Sequence, residues 1–210
     1  MNLKKLRDAE ALFFQMYPGG FADEGLAHIG KKHNVAKLSE FARTALAKKQ
    51  FSKPAALLED VIRIVSRSSM VSMFEKPKFR DHINGLARSD REVLVAGYQS
   101  MLHGGQKKGF EQVLAVLTEG KLARWSLMSI VAHHYRPQRD VFVKPTTTKN
   151  VIRHFELEGL EYKPRPSWAF YEGYREAIDT MKAKVHPSLS PNNAAFTGFL
   201  MMTTGPGREA

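Results

Sequence analysis

Cysteine is absent from this 210-residue chain, which excludes disulfides, thiol nucleophiles and cysteine-based zinc sites together. Long apolar runs are missing too, and no stretch approaches the roughly 18 consecutive apolar residues of a membrane-spanning helix. Lys4, Lys5 and Arg7 give the basic start of a signal peptide, but Asp8, Glu10 and Gln15 interrupt the apolar core such a peptide needs. The expectation is a cytoplasmic protein without a membrane partner. No strand-like alternation of any length and no repeat of fixed period is found. Glycine-rich phosphate loops, a nucleophile elbow and metal-ligand spacings are also lacking, so neither cofactor nor metal is expected. Acidic residues are few: 21 Asp and Glu stand against 32 Lys and Arg, a formal charge of +11.

At 43% hydrophobic and 25% charged, the composition is that of a folded globular chain. Its dominant period is helical. Leu3, Leu6, Leu12, Phe13 and Met16 share one face, and Pro18-Gly19-Gly20 stops that helix. A short helix is predicted from Asp23 to about His33, then one with Val35, Leu38, Phe41, Ala42, Ala45 and Leu46 capped by Asn34. Ser52-Lys53-Pro54 reads as cap and first turn of the next, because proline at the first helical position gives up no hydrogen bond. Ser68–Phe74 fits a strand, a helix extension or a loop, and a short helix follows near Lys78–Leu86. Ser89 and Glu92 have the spacing of a capping box. The helix they open ends at Gly104-Gly105, which is also where two lobes would divide. A further helix spans Lys107 to Thr118. Leu122–Tyr135 is apolar on more than one side, the mark of a central helix.

Val141-Phe142-Val143 is too short for a convincing strand and reads as an extended connector. Thr146 to about Leu157 is helical again. Ser167 caps a helix bearing Phe170, Tyr171, Tyr174, Ile178 and Met181, and Ser190-Pro191 starts a last one with Phe196, Phe199, Leu200, Met201 and Met202. The expected class is all-α: a single domain of nine to eleven short packed helices.

The positive charge is uneven. Residues 101–154 carry nine cations against three acids, whereas residues 155–210 carry six against seven. A basic middle segment suits a nucleic acid or a phosphorylated ligand; a solvated basic surface is the plainer reading. Arg136, Arg139, Lys144 and Lys149 lie on or beside a connector that leads into a helix N-terminus, where free backbone N–H groups favour an anion. Thr146, Thr147 and Thr148 add hydroxyls at that end, and Arg153 shares a helix face with Lys149. These eight residues form the predicted anion site, unless one threonine is simply a cap.

His133 and His134, with Asp140, are the candidates for acid–base catalysis, although adjacent helical residues point about 100° apart and do not converge on one atom. Two histidines packed in the interior are the alternative. Tyr17-Pro18-Gly19-Gly20-Phe21-Ala22-Asp23 sits where a helix-hairpin-helix would bind phosphate, but its glycine spacing and acidic Asp23 fit a plain turn. Trp168, Phe170, Tyr171 and Tyr174 would either stack bases or fill a core. The apolar C-terminal run would either fold back onto the domain or pair two copies of the chain.

Phe142-Val143-Lys144-Pro145-Thr146-Thr147-Thr148-Lys149, then Tyr162-Lys163-Pro164-Arg165-Pro166 and Trp168-Ala169-Phe170-Tyr171, resembles a pattern in functionally uncharacterised bacterial helical proteins. The likeness covers about the last third of the chain and implies a bacterial cytoplasmic setting. The functional expectation is a binding protein for nucleic acid or a phosphorylated ligand. An enzyme with a histidine-centred cleft and a self-associating scaffold are the alternatives.

Overall fold

A computed structural model describes residues 1–26 and 35–204. Ten α-helices and no strand occur among the described residues, so the chain is all-α and forms one compact unit. None of these helices is long and apolar enough to cross a membrane. Most of the predicted 23–33 helix, and the Asn34 predicted to cap the helix after it, lie outside the described residues; Glu24–Leu26 forms a 3₁₀ turn.

The first helix, α1 (Leu3–Met16), buries Leu6, Ala9 and Phe13. It ends where proline and two glycines follow. Gly20 sits at φ +61°, and the Asp23 carboxylate accepts from the backbone N–H groups of Gly19 and Gly25. That turn closes on itself with its acid inward. Next come α2 (Val35–Ala45), α3 (Pro54–Arg67) and α4 (Glu75–Gly85). Pro54 occupies the first turn of α3 as expected, but Ser52 is no cap, because its hydroxyl donates back to the Lys49 carbonyl. Residues 68–74 are turns.

α5 (Arg88–His103) begins one residue before Ser89, so the expected capping box does not form. Ser89 donates to Asp90 instead, and Glu92 pairs with Arg88 one turn back. Gly104 and Gly105 then turn the chain into α6 (Gln106–Glu119). Two glycines let this pair of helices approach closely: a Cβ on Gly97 would lie 3.0 Å from Val113, and one on Gly109 would strike the backbone of Met101. Where a lobe boundary was expected, the chain makes the turn of a tight helical hairpin.

α7 (Trp125–Tyr135) is the axis of the molecule, with buried residues on every side. It packs against α2, α3, α5 and α6. Several of its polar groups are served internally. The Trp125 indole donates to the Lys163 carbonyl at 2.7 Å. The Ser129 hydroxyl donates to Trp125 and accepts from the Val143 N–H at 3.0 Å. That second bond pins the buried Val141–Val143 connector against α7. The connector is extended without being a strand, since side chains rather than a neighbouring ladder meet its backbone groups.

α8 (Pro145–His154), α9 (Trp168–Lys182) and α10 (Asn193–Thr203) complete the fold. Ser167 stands at the N-cap of α9 without a side-chain bond, while Asn192, not Ser190, caps α10 by accepting from Ala195. Phe196, Phe199 and Leu200 are fully buried, and the Phe199 ring meets Phe13 of α1 edge-on at 5.5 Å. The C-terminal apolar run therefore folds back onto the domain.

Candidate functional site: an arginine corner at the end of α7

Arg136 ends α7, and Asp140 follows four residues later. The Asp140 carboxylate is 1% exposed and is met from three sides. Arg136 Nε donates to Oδ2, the Tyr171 hydroxyl donates to Oδ1 at 3.2 Å, and Arg175 Nη1 lies 3.6 Å from Oδ1. The other two nitrogens of Arg136 donate to the Leu102 and Met101 carbonyls at 2.9 and 3.0 Å. These are carbonyls of the last turn of α5, where a cation is favoured by the helix dipole. Arg136 therefore ties α5, α7 and the connector together. Burial, with the Asp140 charge beside it, raises the Tyr171 phenol well above its ordinary range, so it stays a donor.

Gln106, the first residue of α6, completes the corner. Its Oε1 accepts from Arg139 Nη2 at 3.0 Å and from Arg175 Nη1 at 3.1 Å. Two guanidinium groups thus converge on one neutral oxygen. Arg175 is held there by packing over the Trp168 and Tyr171 rings, 5.6 and 5.8 Å from their centroids, a cation–π arrangement. Arg136 and Arg175 share the Asp140 carboxylate while Arg139 meets only the neutral Gln106 oxygen, so the three arginines and one acid carry a formal charge of +2. The α6 N-terminus adds to this potential: Gly105 supplies no side-chain cap, no acid lies in the first turn, and Lys107 and Lys108 are exposed there.

The eight residues of the predicted anion site do not stay together. Arg136 and Arg139 belong to this corner. Lys144 and Thr147 line a separate cavity beside α10. Lys149 lies 5.9 Å over the Tyr162 ring, and Arg153 is exposed on the same helix. Thr146 is exposed, while Thr148 is 1% exposed and shares a hydrogen bond with the Tyr174 hydroxyl. None of the threonines caps α8, whose N-cap is Lys144 without a side-chain bond.

His133 and His134 are buried, at 0% and 1% exposure. His133 Nδ1 meets the main-chain oxygen of Asp140 at 3.0 Å rather than its carboxylate, and His134 Nε2 meets the Ser68 hydroxyl at 3.1 Å. Neither histidine lines the cavity beside α10 or the cleft around Trp168 and Arg165. No cluster of three or more metal-ligating side chains occurs among the described residues. Trp168, Phe170, Tyr171 and Tyr174 are core residues, none more than 9% exposed.

Burial lowers the pKa of both histidines, His134 to about 3, with its neighbour His133 adding to the effect. In the unfolded chain both titrate near 6.5. As pH falls below that value the unfolded chain takes up protons that the folded one refuses. The stability from keeping them neutral is therefore complete above about pH 7. It is lost on acidification, at a slope approaching about 1.4 kcal/mol per pH unit for each histidine. Thermal unfolding at constant ionic strength should show a midpoint falling steeply from pH 6.5 to pH 4, and His134→Gln should remove about half of that slope.

Arg175 and Gln106 are the site residues that sequence reading missed. Each stands alone in its helix, and only the antiparallel packing of α9 on α6 brings them to Arg139. No family model matches the chain, and no curated protein or solved structure is significantly similar to it.

Proposed function

We propose that the protein binds a phosphate-bearing partner, a nucleic-acid backbone or a phosphorylated ligand, at the arginine corner. The observation that carries this reading is the convergence of Arg139 and Arg175 on Gln106 Oε1. A guanidinium bonds a charged oxygen about twice as strongly as a neutral one, and a phosphate presents several such oxygens. Arriving there, it exchanges one shared amide acceptor for separate anionic ones and neutralises the surplus charge. Arg136 and Asp140 hold the corner in shape. Arg139, being exposed, is the residue a ligand reaches first, with Lys107 and Lys108 beside it. A cytoplasmic, bacterial setting belongs to the same proposal.

Labelled duplex and single-stranded oligonucleotides, titrated by anisotropy across a salt series, test it. Affinity should fall steeply with salt. Arg139→Ala should weaken binding of all sequences alike and reduce the log–log salt slope by about 0.9 on duplex or about 0.7 on single strands. Competition by pyrophosphate but not by chloride at equal ionic strength would point to a small phosphorylated ligand. Binding that is flat between low and physiological salt removes the reading.

A further inference from the structure

The other end of the connector opens on a different environment. Between α8, α10 and the connector on one side and Phe21, Leu26, the start of α2 and Met70 on the other lies a cavity of about 420 Å³, within the size range of small-molecule sites. Its walls include Phe142, Ala195, Gly198, Met201 and Met202, so they are mostly carbon and sulfur. Gly198 leaves space that a side chain would fill, its nearest neighbour being the edge of the Phe21 ring 3.8 Å from where a Cβ would stand. Methionines are unbranched and polarizable, and they reshape around flexible apolar guests.

One cation stands among the described lining residues. It is Lys144, whose Nζ lies 4.0 Å from the Met201 sulfur, a weak acceptor. Among the described residues no carboxylate pairs with it, and none lines the cavity. Thr147, also on the wall, belongs to the first turn of α8, where no acid is present. Among the described lining residues, one positive charge at a polar edge over an apolar interior matches an amphipathic monoanion.

We propose that this cavity is a binding site for a medium-chain fatty acid, its carboxylate on Lys144 and its tail toward Phe142, Met201 and Met202. The site is independent of the arginine corner. Calorimetric titration of the full chain with decanoate, below its micelle-forming concentration, should show one saturable site. Lys144→Met should raise Kd at least tenfold for decanoate and leave the weaker binding of decanol unchanged. Gly198→Leu should abolish both, with circular dichroism reporting that the helices persist. Arg139→Ala should alter neither, which separates this site from the phosphate reading. Absence of saturable decanoate binding, equal affinity for decanoate and decanol, or indifference to Lys144→Met would each overturn the proposal. Lys144 is exposed, so its variant carries the test even if Gly198→Leu fails to fold.

Discussion

Replacing Gly109 by alanine should destabilise the protein by about 3 kcal/mol, the upper end of what overpacking costs. The new methyl would stand 2.5 Å from the Gly97 carbonyl oxygen and 2.6 Å from the Met101 Cα, and closer still to the Met101 nitrogen. All three are backbone atoms of α5, which cannot rotate aside as a side chain does. The helices must separate, and the contacts of Val113 and Met101 loosen with them. At roughly 2–4 °C per kcal/mol for a chain of this size, the midpoint should drop by about 6–12 °C. Gly105→Ala is the comparison, because nothing lies within 4 Å of its added methyl; only the preference for glycine over alanine at the N-cap of α6, about 1 kcal/mol, is lost there. Equal midpoints for the two variants would mean that α5 and α6 do not touch at Gly109.

Asp140→Ala should be as damaging for a different reason. The carboxylate is the shared counter-charge of Arg136 and Arg175, and it accepts the Tyr171 hydroxyl. Removing it leaves two guanidinium groups facing each other in a region where Arg175 is 9% exposed. Breaking a buried pair by deleting one partner costs about 3–5 kcal/mol, since the remaining charge stays desolvated. Asp140→Asn keeps the shape and one acceptor, so it should fall between wild type and alanine. Phosphate added to the buffer should recover more stability in Asp140→Asn than in wild type, because the corner then lacks its own anion. Chemical denaturation of the three proteins, with and without phosphate, measures both effects.

Much of the fold follows from local chemistry that the sequence displays openly. Pro18-Gly19-Gly20 stops α1, Pro54 begins α3, and the apolar residues around Leu122–Tyr135 mark the buried axis. Caps were harder to read. Ser52, Ser89 and Thr146 have the right residue type, but a serine or threonine hydroxyl bonds to whichever neighbour is nearest. Ser52 finds a carbonyl behind it and Ser89 finds Asp90. The start of α5 two residues earlier, with Ala87 at the cap position in place of Ser89, is enough to dissolve the Ser89–Glu92 reciprocity.

The site was half legible for a comparable reason. Arg136 and Arg139 stood out in a basic stretch, yet Lys144 lies five residues beyond Arg139 and the extended connector carries it to another cavity. Spacing along the chain reports proximity within a helix, not across an extended segment. Arg175, in a stretch of balanced charge, joins the cluster only through the packing of α9 on α6. His133 and His134 invited a catalytic reading because of their type, whereas their burial was already implied by the apolar residues flanking them on α7.

Because α7 is enclosed on all sides, the two halves of the chain cannot be studied apart. A fragment ending at the Gly104–Gly105 turn would lack the rod its helices wrap around, and the complementary fragment would present that rod uncovered to water. Dissection into minimal pieces should yield aggregates rather than working modules, so any ligand screen has to begin with the intact polypeptide.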